Sequence, residues 1–197
     1  MAKLTVSFQL VCLLMGVQGE GLPGVVNYIL VQLDHVASQD GPTIQFNEVN
    51  LGGGSRVGEE WKEGARRAVR AVLHAVGDSG HDWMITIKNR SATSLTDGMS
   101  ASAAVAVAIM AAHRGGVLRS DVVLSGQIRP DGRLDVVGGL PVKIEAAANA
   151  HYRAIIVPLD QGLTADWMSS TDVASRRRVQ LIQAGTLDEA YQAMTVR

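Results

Sequence analysis

The chain has 197 residues, of which 47% are hydrophobic and 19% charged, enough apolar material for one domain with a real core. Its formal net charge is −1, and its densest basic cluster is the RRR of residues 176–178, so nucleic-acid binding has no support. A single cysteine, Cys12, excludes a disulfide framework within the chain and reads as a small core residue.

Residues 4–17 (LTVSFQLVCLLMGV) form an apolar run after Met1-Ala2-Lys3. Residues 1–19 could be a short signal peptide, but they are too short and too polar at Ser7 and Gln9 for a membrane span. Valine, threonine and phenylalanine favour a strand, and residues 25–33 (VVNYILVQL) supply its hairpin partner. The strand reading therefore leads and implies a cytoplasmic protein; the signal-peptide reading would make it exported. A turn is expected at 18–24 (QGEGLPG), a loop at 34–42 and a third strand at 43–49 (TIQFNEV), an antiparallel start to the domain.

Residues 51–56 (LGGGSR) lack the spacing and lysine of a phosphate loop and read as a flexible connection. An amphipathic helix is expected over 57–76. Val57, Trp61, Ala65, Ala68, Val72 and Val76 follow steps of three and four, with glutamates early and arginines late. Further strands are expected at 83–88 (WMITIK), 122–128 (VVLSGQI), 154–158 (AIIVP) and 179–183 (VQLIQ). Residues 89–96 read as a polar loop and Pro130-Asp131-Gly132 as a turn. A short apolar piece follows at 134–137. A helix is expected at 140–150 with Pro141 near its start. Residues 159–178 read as irregular, with a short helix around 165–169. Thr186 and Glu189 have capping-box spacing for a last helix ending near Met194. No repeat or linker interrupts this pattern, which describes one α+β domain over residues 1–197.

Two places carry chemistry. Residues 101–112 hold no charge and close on His113, Arg114, Gly115 and Gly116, so they predict a helix buried on every face. Asp97-Gly98-Met99-Ser100 leads into it and sets a hydroxyl, Ser100, on its first turn. The first N–H groups of a helix lack internal partners, so an oxyanion forming beside Ser100 would meet donors and the positive end of the dipole. Taken alone, these residues are explained more simply if Asp97 or Ser100 caps the helix.

The second place is Lys143, in the first turn of the helix after Gly138-Gly139. The dipole there disfavours a cation, and burial against Leu140, Val142 and Ile144 would add to this. A neutral lysine can take the proton of a serine hydroxyl. An exposed lysine whose stem covers apolar neighbours is the other reading of the residue by itself. His35, His74, His81, His113 and His151 are scattered without ligand spacing, so no metal and no cofactor is expected.

Three blocks in order resemble the proteolytic domain of Lon proteases, a Ser–Lys peptidase family. They are DGMSAS at 97–102 against DGPSAG, RSDVVLSGQIRPDGRLDVVGG at 119–139, and LPVKIEAAANAHYRAIIVP at 140–158. The TLDEAYQAM ending resembles the family's closing helix, and the likeness runs from about Val25 to the end. The resemblance implies Ser100 as nucleophile and Lys143 as general base. It implies that Ser125 contacts the lysine in place of a threonine, and that Asp97, Gly98 and Met99 precede the nucleophile. Oxyanion donors would come from the backbone around Gly98 and Ser100. The chain departs from the pattern at Met99 (for proline), Ser102 (for glycine), Gln127 (for glutamate) and Tyr152 (for glycine).

The expected activity is that of a serine endopeptidase acting on polypeptides, without the family's ATPase module: ATP-independent, or fed by a separate ATPase or adaptor. A homo-oligomer, a hexameric ring, is implied by resemblance alone. The alternative, motivated by Met99 and Ser102, is a catalytically weak or inactive Lon-like domain acting as an assembly or peptide-binding module.

Overall fold

The computed structural model describes residues 5–14, 23–36, 40–48, 56–91, 93 and 95–196, with only the backbone pairing for 5–14. Most of the turn expected at 18–24 and of the connection expected at 51–56 lies outside the described residues.

The apolar residues of strand β2 (Val25–His35) alternate, and Ile29, Val31 and Leu33 are all buried on one face. On one side β2 pairs antiparallel with β1 (Thr5–Leu14), and on the other with β5 (Trp83–Arg90). The third strand departs from expectation. Strand β3 (Thr43–Phe46) is shorter than residues 43–49 and lies at the sheet edge, parallel to β5. The loop after β2 is tied across the end of β5, through Val36 N–H to the Asp82 carbonyl and Gly41 N–H to the His81 carbonyl. That path delivers β3 to the far side of β5, so β5 separates two strands that would otherwise have formed a hairpin.

The seven-stranded sheet has the order β11-β10-β7-β1-β2-β5-β3, where β7 is Val122–Leu124, β10 Ala154–Pro158 and β11 Gln180–Ala184. Its two faces carry separate cores. Helices α1 (Glu59–Val76), α2 (Ser102–Arg114) and α5 (Leu187–Met194) cover the face that holds Leu124 and Ile156. Helix α3 (Leu140–Asn149) and helix α4 (Trp167–Arg177) cover the face that holds Val123, Ile155 and Val157. Small strands β4 (Arg56–Val57) and β6 (Leu95–Thr96) pair in parallel, and β8 (Gln127–Ile128) pairs with β9 (Leu134–Asp135). The expectation of an α+β fold holds.

Helix α2 is the central element. Every residue from Ser102 to Ala112 is buried, between α1 on one side and the sheet on the other. Alanine at six of these positions lets the neighbours approach closely. Among the described residues no helix is long and apolar enough to cross a membrane.

Two local expectations are corrected. Residues 159–178 are more regular than expected: a 3-10 turn over Leu159–Leu163 leads to the 11-residue α4, which the short helix expected around 165–169 meets only at its start. Its sequence, WMSSTDVASRR, buries only Ser170, Val173 and Ala174, too small a face to show as an apolar period. At the end of α3, the left-handed residue is His151 (φ 65°). Tyr152, where the resemblance had placed a departure from glycine, is half-buried and faces Tyr28. Burial and Tyr28 push its phenol pKa up to about 12. His151 is exposed, and its Cβ is strained at positive φ. We expect His151→Gly to stabilise the protein by about 1 kcal/mol, measured by urea unfolding.

Candidate active site

The expected strand 122–128 is broken, and the break builds the site. Ser125 N–H reaches back to the Ile156 carbonyl, ending β7 beside β10. Gly126 then turns toward α2. Its N–H donates to the Ser100 carbonyl at 3.0 Å, and its carbonyl accepts from Ala103 N–H at 3.1 Å. A Cβ at Gly126 would stand 3.2 Å from that of Ala103, so glycine allows the close approach.

Ser100 lies in a 3-10 turn, Met99–Ala101, that runs directly into α2 rather than in the helix itself. Ser102 tightens this turn. Its buried hydroxyl donates to the Met99 carbonyl (2.7 Å) and accepts from Ile128 N–H (2.9 Å), fastening the turn to β8. The side chain that replaces the family's glycine is thus used as a tie. Met99 packs under α1 at Gly64, where an added Cβ would be 3.4 Å from the Met99 Cα.

Neither Asp97 nor Ser100 caps α2, which has no side-chain cap. Asp97 caps α1 instead: its Oδ1 accepts from Trp61 N–H, the third residue of that helix, at 3.0 Å. The same oxygen accepts from Gly98 N–H at 2.9 Å. Gly58, before α1, has no room for a side chain because a Cβ would collide with the Asp97 carboxylate. One of the expected oxyanion donors, Gly98 N–H, is therefore engaged. The N–H of Ser100 sits at the start of its turn, where a helical turn offers no internal acceptor.

Lys143 is 2% exposed and Ser125 is fully buried. The lysine Nζ donates to Ser125 Oγ at 3.2 Å. Ser100 is not joined to Lys143 directly in the hydrogen bonds of the described residues. The connection runs from Lys143 to Ser125, and through Gly126 to the Ser100 backbone. Ser100 is partly exposed, whereas Lys143 and Ser125 are buried.

A sequence profile of the Lon protease (S16) C-terminal proteolytic domain matches residues 52–194, a span that contains every one of these groups. The chain belongs to the Lon proteolytic-domain family. It is 34% identical over 109 residues to Lon protease 1 of Herpetosiphon aurantiacus, covering 52% of this chain and 13% of that protein. It is 27% identical over 145 residues to the Lon protease of Syntrophomonas wolfei (70% of this chain, 17% of that protein). To the archaeal Lon protease of Methanocaldococcus jannaschii it is 31% identical over 105 residues, covering 53% of this chain and 15% of that protein. The matched chain thus spans less than a fifth of each of these relatives.

Two supports of this Lon domain escape a reading of its sequence. Gln161 is fully buried, and its amide grips the backbone of Val137 twice, accepting from the N–H (2.9 Å) and donating to the carbonyl (2.8 Å). Asp166 accepts from Leu140 N–H at 3.2 Å, which puts a carboxylate at the α3 N-terminus. Together they fix the entry to the helix that carries Lys143. Both lie in the stretch that reads as irregular, and only the pairing of Thr164 with Asp166 hints at a cap. Groups of three or more potential metal ligands do not occur among the described residues.

Proposed function

We propose that this domain is a serine endopeptidase in which Ser100 is the nucleophile and Lys143 the general base. The observation that carries the reading is the buried Lys143 amine held on Ser125, one residue before the Gly126 contact to Ser100. Burial favours the neutral amine of a lysine, which is the form that can accept a proton. Catalytic hydrogen bonds are often long in a free enzyme and tighten when substrate closes the site, so Ser100 and Lys143 need not be bonded beforehand.

The neutral Lys143 takes the Ser100 proton as Oγ bonds to the peptide carbonyl carbon. The carbonyl oxygen becomes the oxyanion, met by the Ser100 N–H and the start of α2. The Lys143 ammonium returns its proton to the amine as the C–N bond breaks. Water then attacks the acyl ester with Lys143 taking its proton, and the Ser100 hydroxyl is restored. Ser125 orients the amine throughout. Unfolded polypeptide is the substrate and ATP is not required for the chemistry. A ring of identical subunits and delivery by an ATPase or adaptor complete the proposal.

An assembly or peptide-binding module is the second reading, favoured by one observation: Asp97 already holds the Gly98 N–H. Degradation of casein without ATP, followed by mass spectrometry for wild type and Ser100→Ala, decides between them. Cleavage by wild type and none by Ser100→Ala is expected. Equal cleavage by both overturns the nucleophile, and peptide binding without cleavage by wild type favours the module.

A further inference from the structure

Asn27 is an anomaly in the sheet. It is fully buried on β2, and among the described residues neither its amide nitrogen nor its amide oxygen has a hydrogen-bond partner. A buried carboxamide left unmatched is costly, and native proteins rarely keep one without a use.

Its place is defined by register. Asn27 pairs with Cys12 of β1, and Cys12 pairs with Leu124 of β7. Residues directly opposite across a sheet share a face. Asn27 therefore stands on the face of Leu124, Ile29, Val31 and Leu33, the side covered by α2. It also stands at the end of the sheet where α2 begins. The segment that carries Ser100 crosses the sheet at this end, and its two anchors bracket Asn27. On the β5 side, Asn89 donates its amide to the Thr96 hydroxyl at 3.0 Å, and Asn89 pairs with Ile29, two residues along β2 from Asn27. On the β7 side, Gly126 holds the Ser100 carbonyl. The 3-10 turn of Ser100 is in contact with β1, which with β2 lies between these anchors.

We propose that Asn27 is a positioning residue for Ser100: its buried carboxamide is the reserve hydrogen-bonding group that takes up the Met99–Ala101 turn as the transition state forms. The unmatched amide then costs stability in the free protein and regains a partner in the transition state. This inference rests on Ser100 being the nucleophile.

The test uses the full chain as wild type and three variants: Ser100→Ala, Asn27→Leu and Asn27→Thr. Leucine has a similar size and no polar atoms, and threonine keeps a donor and acceptor in a strand-favouring residue. Thermal unfolding and casein-peptide kinetics are measured for each. Asn27→Leu is expected to melt roughly 2–4 °C higher, because an unmatched amide is gone. Its kcat is expected to fall about tenfold with KM little changed, the rate equivalent of one hydrogen bond lost from the transition state. Asn27→Thr should recover part of kcat. A merely structural Asn27 would give a lower melting point in both variants and an unchanged kcat, and this overturns the inference. If wild type and Ser100→Ala cleave equally, the nucleophile assignment falls and the inference falls with it. If only Asn27→Leu keeps full kcat beside a silent Ser100→Ala, the inference falls alone.

Discussion

Lys143→Met will lower the rate of peptide cleavage by roughly a hundred- to ten-thousand-fold while the protein stays folded. Methionine has nearly the length of lysine and suits a buried position in α3, where Leu140, Ile144 and Ala147 are buried as well. The variant lacks only the amine that the proposed mechanism uses to move the proton. Ser125 loses the donor at 3.2 Å, but its hydroxyl keeps its freedom to turn. The pH profile carries the sign. With Lys143 as the proposed base, the neutral amine is the active form, so kcat/KM of wild type is expected to rise with pH along a single limb and then level. In Lys143→Met this limb is absent and the residual rate follows hydroxide alone. Full activity in Lys143→Met, with the same limb, would assign the base to another group.

Gln161→Leu will show the largest loss of stability, about 2–4 kcal/mol, because it strands two buried backbone groups at once. The Val137 N–H and carbonyl both depend on this amide. Leucine fills the volume but offers neither donor nor acceptor, and the fold excludes water from a side chain that is fully buried. Val137 leads through Gly138 and Gly139 (φ 65°) into α3, so the loss falls on the approach to Lys143. Melting should drop by roughly 4–16 °C. Gln161→Glu keeps the acceptor and loses the donor, and is expected to lie between wild type and leucine at neutral pH. A melting point within about 1 °C of wild type for Gln161→Leu would show that the Val137 groups do not need the amide.

The elements that sequence shows best are those whose partner is solvent on one side or protein on every side. Helix α1 is read from its single buried face, with Trp61, Ala65, Ala68 and Val72 inside and Glu59, Glu60 and Arg70 outside. Helix α2 is read from its lack of any polar face. Lys143 is conspicuous because a cation is rare in an apolar first turn. What sequence hides is long-range pairing. Nothing local says that β5 will enter between β2 and β3, because that order follows from how the loop after β2 is tied to residues 81 and 82. Gln161, Asp166 and Asn27 look like ordinary polar residues until the fold buries or aims them. Asp97 shows why a short motif is not a mechanism. Its position before Ser100 suggests a cap for α2, yet its carboxylate caps α1, 36 residues away.

Covalent trapping tests the central claim most directly. A fluorophosphonate reacts with an activated serine hydroxyl and leaves a stable adduct. Intact mass and peptide mapping then give the site. One adduct per chain on Ser100 in wild type, much slower labelling in Lys143→Met and none in Ser100→Ala is the expected result. An unlabelled wild type, or an adduct on another serine that survives Ser100→Ala, would contradict the Ser100–Lys143 assignment.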